Sequence, residues 1–241
     1  MAMDRLFQLM KDKNASDMFF AINSPIHLKI NGNLLPINQQ KMDEENIMAL
    51  LAEVLSAEQI AQYKRDSELN VGIGMAGVGR FRLSAFKQRG STSAVFRFVP
   101  GNIPAFTSLH LPPVLAELIM EKRGLILVVG ATGSGKSTSI ASMLDYRNET
   151  KTGHILTIED PIEYLFRSKK SIVNQREVGT DADSLKTALR NSLRQAPDVI
   201  LIGEIRDLET MMAAIAYAQS GHLVVATLHA NNSYQALNRI I

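Results

Sequence analysis

Eight residues, "GATGSGKS" from Gly130 to Ser137, put three glycines ahead of a lysine and a hydroxyl in a spacing suited to holding phosphate. Glycines let consecutive backbone N–H groups turn inward around phosphate oxygens at the positive end of a helix, a geometry that bulky side chains obstruct. The stretch fits G-x-x-x-x-G-K-[ST] at every fixed position, so Lys136 is placed to reach the β and γ phosphates of a nucleotide and the Ser137 hydroxyl to ligate Mg²⁺. Its context agrees, since strand-like "LILVV" precedes it and helix-compatible "STSIASML" follows. A flexible glycine turn is the plainer alternative, and the combination of pattern and context argues against it.

Three further polar clusters each follow an apolar run: "EDPIE" after "HILTI", "GEIRD" after "VILI", and His229 after "HLVVATL". Ligands of open parallel sheets sit at the carboxyl ends of the strands, so all three are expected to converge on the loop that begins at Gly130. Glu159, Asp160 and Glu163 supply enough carboxylates for a magnesium water ligand and a general base, and Pro161 stiffens the turn and stops the strand. Without the phosphate loop, "EDPIE" would read as a solvated strand end. "DVILIGE" carries a departure. A phosphate-loop NTPase usually ends this strand in a magnesium-supporting Asp, but Gly203 stands there, with Glu204 after it. Either the site is not a magnesium nucleotide site, or the missing carboxylate comes from elsewhere.

His222 and His229 bracket one strand and lie at its opposite ends, so they cannot form one metal pair. His229 is placed to sense the γ phosphate or a neighbouring subunit, whereas His222, beside the Gly221 helix stop, reads equally well as a cap. Arg80, Arg82, Arg89 and Arg97 recur along a hairpin, which by default gives a solvated basic face. The sharper alternative is an arginine finger delivered across an interface to a transferring phosphoryl group.

The elements that must position these groups fall into two regions. In the first hundred residues, Leu6, Phe7 and Met10 share a helical face, and "IHLKINGNLLPI" alternates around Asn31-Gly32, a hairpin signal. "DEENIMALLAEVLSAEQIAQYKRD" follows as one helical segment, and "RFRLSAFKQRGSTSAVFRFVP" turns at Arg89-Gly90. These features predict a small α+β module over 1–100. Residues 101–115 carry three prolines and are expected as a linker. From 116 onward, four apolar runs (125–129, 154–158, 199–202 and 222–228) alternate with helix-length segments at 184–195 and 207–219. That pattern predicts a parallel sheet covered on both faces, an α/β architecture. The 184–195 segment has an Asp cap candidate before it, and Asp207 begins the next.

Composition sets limits on partners. The chain has 241 residues, an apolar fraction of 46% and a formal charge of +2, so a sizeable core is available and no broad basic footprint for nucleic acid stands out. There is no cysteine, which removes disulfides and thiolate zinc sites and is compatible with the cytosol. The amino terminus mixes charges and is no secretory signal, and no apolar run approaches the roughly 18 residues of a membrane span, so membrane association is expected only through partners.

"GATGSGKST", "TIEDPIEY", "RQAPDVILIGEIRD" and "GHLVVATLHAN", in this order, resemble the type IV pilus retraction ATPases of the secretion ATPase superfamily. "ASDMFF", "HLKINGNLLPI" and "GRFRLSAFKQRG" extend the resemblance over the first module. The wording of "DYRNETKTGHILTIEDPIEY", "LRQAPDVILIGE" and "ATLHANN" is closer to the accessory retraction ATPase, PilU, than to its partner PilT. The resemblance implies a PAS-like amino-terminal domain joined to a RecA-like P-loop ATPase domain, in a ring hexamer with nucleotide between domains and subunits. It implies that Gly130, Ala131, Thr132, Gly133, Ser134, Gly135, Lys136, Ser137 and Thr138 bind ATP and that Glu163 is the general base. Glu204 is then the acid of an atypical second motif that supports Mg²⁺ together with Ser137, His229 belongs to a histidine box, and Arg82 and Arg97, with Arg80, face the nucleotide from the first domain.

The implied setting is the cytoplasmic face of the inner membrane at the pilus base, with an inner-membrane platform protein and a paralogous retraction ATPase as partners and no direct nucleic-acid contact. Because family members continue beyond "LNRII" with further strands and a helical carboxyl-terminal region, the resemblance also implies a fragment whose ATPase domain, 116–241, is incomplete. Other readings are a pilus assembly or type II secretion ATPase, a RecA-like nucleic-acid translocase, against which the near-neutral charge argues, and a regulatory module that holds nucleotide without turnover.

Overall fold

Alternating burial along strands, and apolar residues three and four apart along helices, build two units, Met1–Gly101 and Asn102–Ile241. The computed structural model describes all residues except Pro100, Thr132, Asn231 and Ile241, and the side chains of Ser233, Arg239 and Ile240. Thr132, expected in the phosphate loop, therefore lies outside the described residues.

In the first unit, helix α1 (Ala2–Asp12) buries Met3, Phe7 and Met10. It packs on an antiparallel six-stranded sheet of β1 (Ala15–Phe20), β2 (His27–Ile30), β3 (Asn33–Pro36), β4 (Glu68–Met75), β5 (Gly79–Gln88) and β6 (Ser91–Val99), in the order β3-β2-β1-β6-β5-β4. Phe7 stacks on Phe81 with ring centroids 3.9 Å apart, joining helix to sheet. Both expected hairpins form. Asn31 and Gly32 (φ 50° and 84°) link β2 to β3, and Arg89 and Gly90 (φ 50° and 81°) link β5 to β6, the positive values that two-residue hairpins need.

The segment read as one helix is two, α2 (Glu44–Ala52) and α3 (Ala57–Asp66). Ser56 interrupts it by accepting from the Gln59 backbone N–H while the Gln59 side chain accepts from the Ser56 N–H. This reciprocal cap starts a new helix inside an otherwise continuous apolar pattern.

In the second unit, β7 (Gly124–Val129), β8 (Gly153–Glu159), β9 (Ser171–Glu177), β10 (Val199–Ile205) and β11 (Leu223–Leu228) form a parallel sheet in the order β7-β11-β10-β8-β9. Alternate side chains feed two cores. Ile155, Val199, Leu201 and Val225 pack with α4 (Val114–Leu118) and α5 (Lys136–Thr150). Leu156, Ile158, Ile200, Ile202 and Val224 pack with α6 (Leu185–Ser192), α7 (Leu208–Gln219) and α8 (Ser233–Ile240). Both faces of the sheet are thus covered, as near-continuous apolar strands require.

Ser184, rather than the preceding Asp, caps α6 by accepting from the Thr187 N–H, and Asp207 caps α7 through the Thr210 N–H. From Asn102 onward the expected linker belongs to the second unit: Phe106 and Leu111 pack on the α5 side of the sheet, and the Phe106 ring stacks on Tyr146. Among the described residues no helix is long and apolar enough to cross a membrane.

Candidate nucleotide-binding site

The phosphate loop leaves the end of β7 and enters α5 through Gly135, whose φ of 90° is open to glycine and turns the chain into the first helical residue, Lys136. The Lys136 side chain is buried, and its ammonium donates to the carbonyls of Gly130 at 3.0 Å and Ala131 at 2.9 Å, folding the lysine back over the loop. Gly133, Gly135, Ser137 and Thr138 line a cavity of about 340 Å³ together with residues from the ends of β8, β10 and β11. The expected convergence on one place holds for Glu159, Asp160, Glu163, Glu204 and His229, which all line this cavity. His222 lies at the other end of β11, where its ring meets the Tyr217 carbonyl and the Ser220 hydroxyl, a local cap.

The glycine in "DVILIGE" has a steric cause. A Cβ on Gly203 would stand 3.1 Å from the Glu159 Cα and 3.4 Å from the Ile158 carbonyl oxygen, so the backbones of β10 and β8 would have to draw apart slightly to admit an aspartate there. The same point is a bulge. Ile202 pairs with Ala226 and Ile205 with Leu228, so Gly203 and Glu204 together oppose Thr227, whose hydroxyl donates to the Gly203 carbonyl. An extra residue in one strand re-aims the side chain that follows, and here it carries Glu204 into the cavity.

Glu204 is held on both oxygens. His229 Nε2 lies 3.0 Å from one, and Arg206 Nε donates to the other at 2.8 Å. Arg206 also reaches Asp160 at 3.3 Å, which ties the ends of β8 and β10 together. The hydrogen bond to Glu204 holds the Arg206 guanidinium above its usual range.

"EDPIE" divides into distinct roles. Glu159 is buried, and burial pushes its carboxyl above the ordinary value against the lowering effect of its hydrogen bonds. It accepts from the Thr157 hydroxyl at 2.7 Å, the Gln175 amide at 3.3 Å and the Glu163 backbone N–H at 3.3 Å, so both of its oxygens at the base of the cavity are engaged by the protein. Glu163 is exposed on the cavity wall. Tyr164 Oη lies 2.9 Å from Thr138 Oγ1, joining this segment to the residue after the phosphate-loop serine.

Sequence reading missed β9, whose polar "NQRE" supplies Gln175 and Glu177 to the same segment. The sequence carries no period-two hydropathy signal there, since Ile172 and Val173, Asn174 and Gln175, and Arg176 and Glu177 match in type; only burial distinguishes the two sides of the strand.

The arginines lie in the first unit. Arg82 and Arg97 are cross-strand partners on β5 and β6, and Asp17 on β1 is the next in the row. Asp17, buried, accepts from Arg97 Nε at 2.8 Å. Arg80 pairs across from Val99, and Arg89 occupies the hairpin turn.

The hard oxygen donors of Ser137 and Glu204 suit Mg²⁺, which takes one or two protein oxygens and leaves the rest to phosphates and water. Among the described residues no group of three or more His, Cys, Asp or Glu is arranged to hold a metal ion.

A parallel sheet with a glycine phosphate loop after one strand and acids at the ends of its neighbours defines a phosphate-loop nucleotide-binding protein of α/β class. The chain belongs to the Type II/IV secretion system protein family, whose pattern matches residues 2–241. It is 48% identical to the type IV pilus ATPase PilU of Pseudomonas aeruginosa over 241 residues, all of this chain and 63% of that protein. It is 41% identical to the type IV pilus retraction ATPase PilT of the same organism over 229 residues, covering 95% of this chain and 67% of that protein. A crystal structure of the pilus retraction motor PilT with bound ADP superposes at a TM-score of 0.92 and 45% identity, covering 98% of this chain and 70% of the solved one. The chain thus spans about two thirds of the length of these relatives.

Proposed function

We propose that this chain acts in an ATP-hydrolysing, hexameric motor that powers type IV pilus retraction, on the PilU side of the family. The observation that carries the reading is the one cavity in which Lys136, Ser137, Glu163, Glu204 and His229 meet. Identity to PilU supplies the pilus context, and the PilT structure with bound ADP supplies the nucleotide class.

In this reading the backbone N–H groups of Gly130, Ala131, Gly133, Ser134 and Gly135, with Thr132 and Thr138, hold the phosphates of ATP, and the Lys136 ammonium exchanges its loop carbonyls for phosphate oxygens. Glu163 takes the proton from the attacking water. Ser137 and Glu204 hold Mg²⁺, which neutralises charge on the phosphates when bound. His229 and Arg206 keep Glu204 aimed at that place. Arg82 and Arg97, with Arg80, bring positive charge from residues 1–100, a PAS-like domain joined by 101–115 to the RecA-like domain from 116 onward. Work would be done at the cytoplasmic face of the inner membrane, through a platform protein and a paralogous ATPase.

Glu163→Gln should bind ATP normally while phosphate release falls by roughly two to four orders of magnitude. Glu204→Gln should instead shift the Mg²⁺ concentration needed for half-maximal turnover. Normal turnover in Glu163→Gln would remove it as the base, and equal magnesium profiles in the two variants would undo the division of roles.

A further inference from the structure

Four backbone groups in the segment that carries Glu163 are bound by side chains from the strands beneath it. Glu177 on β9 accepts from the Ile162 N–H at 2.9 Å, and Glu159 at the end of β8 accepts from the Glu163 N–H at 3.3 Å. Gln175, also on β9, donates to the Tyr164 carbonyl at 2.8 Å and accepts from the Phe166 N–H at 2.8 Å. Two of the three side chains also join each other, since Gln175 donates to Glu159, and Glu159 and Glu177 are buried.

Geometry explains the coincidence. β9 runs parallel to β8 with Gln175 beside Thr157 and Glu177 beside Glu159, so two residues two apart on the edge strand present side chains to the same crossing segment. A loop of 160–166 that leaves the sheet would otherwise have no partner for these N–H groups, because sheet pairing has ended at Glu159. The bonds close on the segment from below, while Tyr164 fastens it sideways to Thr138 on the helix that starts at the phosphate loop.

We infer that Gln175 and Glu177 of β9, with Glu159 of β8, are positioning residues: a rack that fixes the backbone of 162–166 and so sets where the Glu163 carboxylate stands relative to the phosphate loop. None of the three touches the reacting atoms in this role. The inference rests on the reading of Glu163 as the base, and its consequence is specific. Loosening the rack should cost the chemical step, in which Glu163 must be aligned, and leave nucleotide affinity, which the phosphate loop supplies, in place.

The test is steady-state ATP hydrolysis and nucleotide binding by the full chain carrying Gln175→Met, Glu159→Gln or Glu163→Gln, each beside the unaltered protein. Gln175→Met keeps the volume and removes both bonds to the segment. Glu159→Gln keeps the shape, relieves a buried charge and so spares the fold; its carbonyl can serve Thr157 and Gln175, which turns its NH₂ toward the Glu163 N–H and breaks that contact alone. Both variants are expected to lower kcat by about 10- to 100-fold with the KM for ATP within about twofold of the unaltered protein. Turnover within about twofold of normal in both, with Glu163→Gln inactive, overturns the rack and leaves the base assignment standing. A fall in nucleotide affinity matching the fall in turnover overturns it as well, since that is the mark of general structural damage. Normal turnover in Glu163→Gln overturns the base assignment and the rack with it.

Discussion

Both units use side-chain oxygens to accept backbone N–H groups, yet they use them for opposite ends. In the first unit the Glu44 carboxylate accepts from the Thr92 N–H at 2.7 Å and from its hydroxyl, and Tyr63 Oη donates to the same hydroxyl at 3.0 Å. That knot ties α2 and α3 to the β5–β6 hairpin, and its polar groups are spent on each other. In the second unit Glu159, Gln175 and Glu177 are spent on a segment whose outward side carries Glu163 into a cavity. A sheet whose strands run parallel ends all its strands at one edge, so polar anchors there accumulate around a common space. An antiparallel sheet sends alternate strands to opposite edges, and its anchors serve packing.

Three substitutions test this contrast, in descending order of effect. Lys136→Ala should weaken nucleotide binding by roughly two orders of magnitude, because the proposed reading has this buried ammonium exchange its loop carbonyls for phosphate oxygens. Titration with a fluorescent ATP analogue measures this, and an unchanged dissociation constant would remove the phosphate-loop assignment. Gly203→Asp, which restores the usual magnesium-motif acid, should lower stability by about 1–3 kcal/mol, because its Cβ must displace the Glu159 backbone. A thermal melt at or above that of the unaltered protein would show that the strands can part there at no cost. Thr92→Val should cost about 1–2 kcal/mol by leaving the buried Tyr63 hydroxyl without its acceptor. Nucleotide affinity should not change, and a parallel loss of affinity would break the contrast between a knot that stabilises and a rack that positions.

Much of the site was legible along the chain because its signals are local. The phosphate loop is a turn within eight residues, Asn31-Gly32 and Arg89-Gly90 are turns within two, and the apolar runs of β7, β8, β10 and β11 declare strands without reference to neighbours. The break between α2 and α3 was missed although Ser56 and Gln59 spell a capping box, because apolar spacing runs on through it. β9 was missed because Asn174, Gln175, Arg176 and Glu177 follow one another along it, and the polar atoms of Gln175 and Glu177 are used on the 162–166 segment, so no apolar run marks the strand.

Gly203 shows where sequence stops. Its place in "DVILIGE" announced a departure from the usual magnesium motif, and the acid after it could be named as the substitute. The reason for the glycine is a backbone approach between β10 and β8, two strands more than forty residues apart in the chain, and that spacing exists only once the sheet has formed. The sequence by itself determined the chemistry available to this protein: a phosphate loop, acids at strand ends and a histidine beyond the last strand. Tertiary structure decided which acid faces the cavity, which is buried beneath it and which side chains hold the segment in place, because hydrogen bonds to a crossing loop depend on strand order and register, which no local pattern encodes.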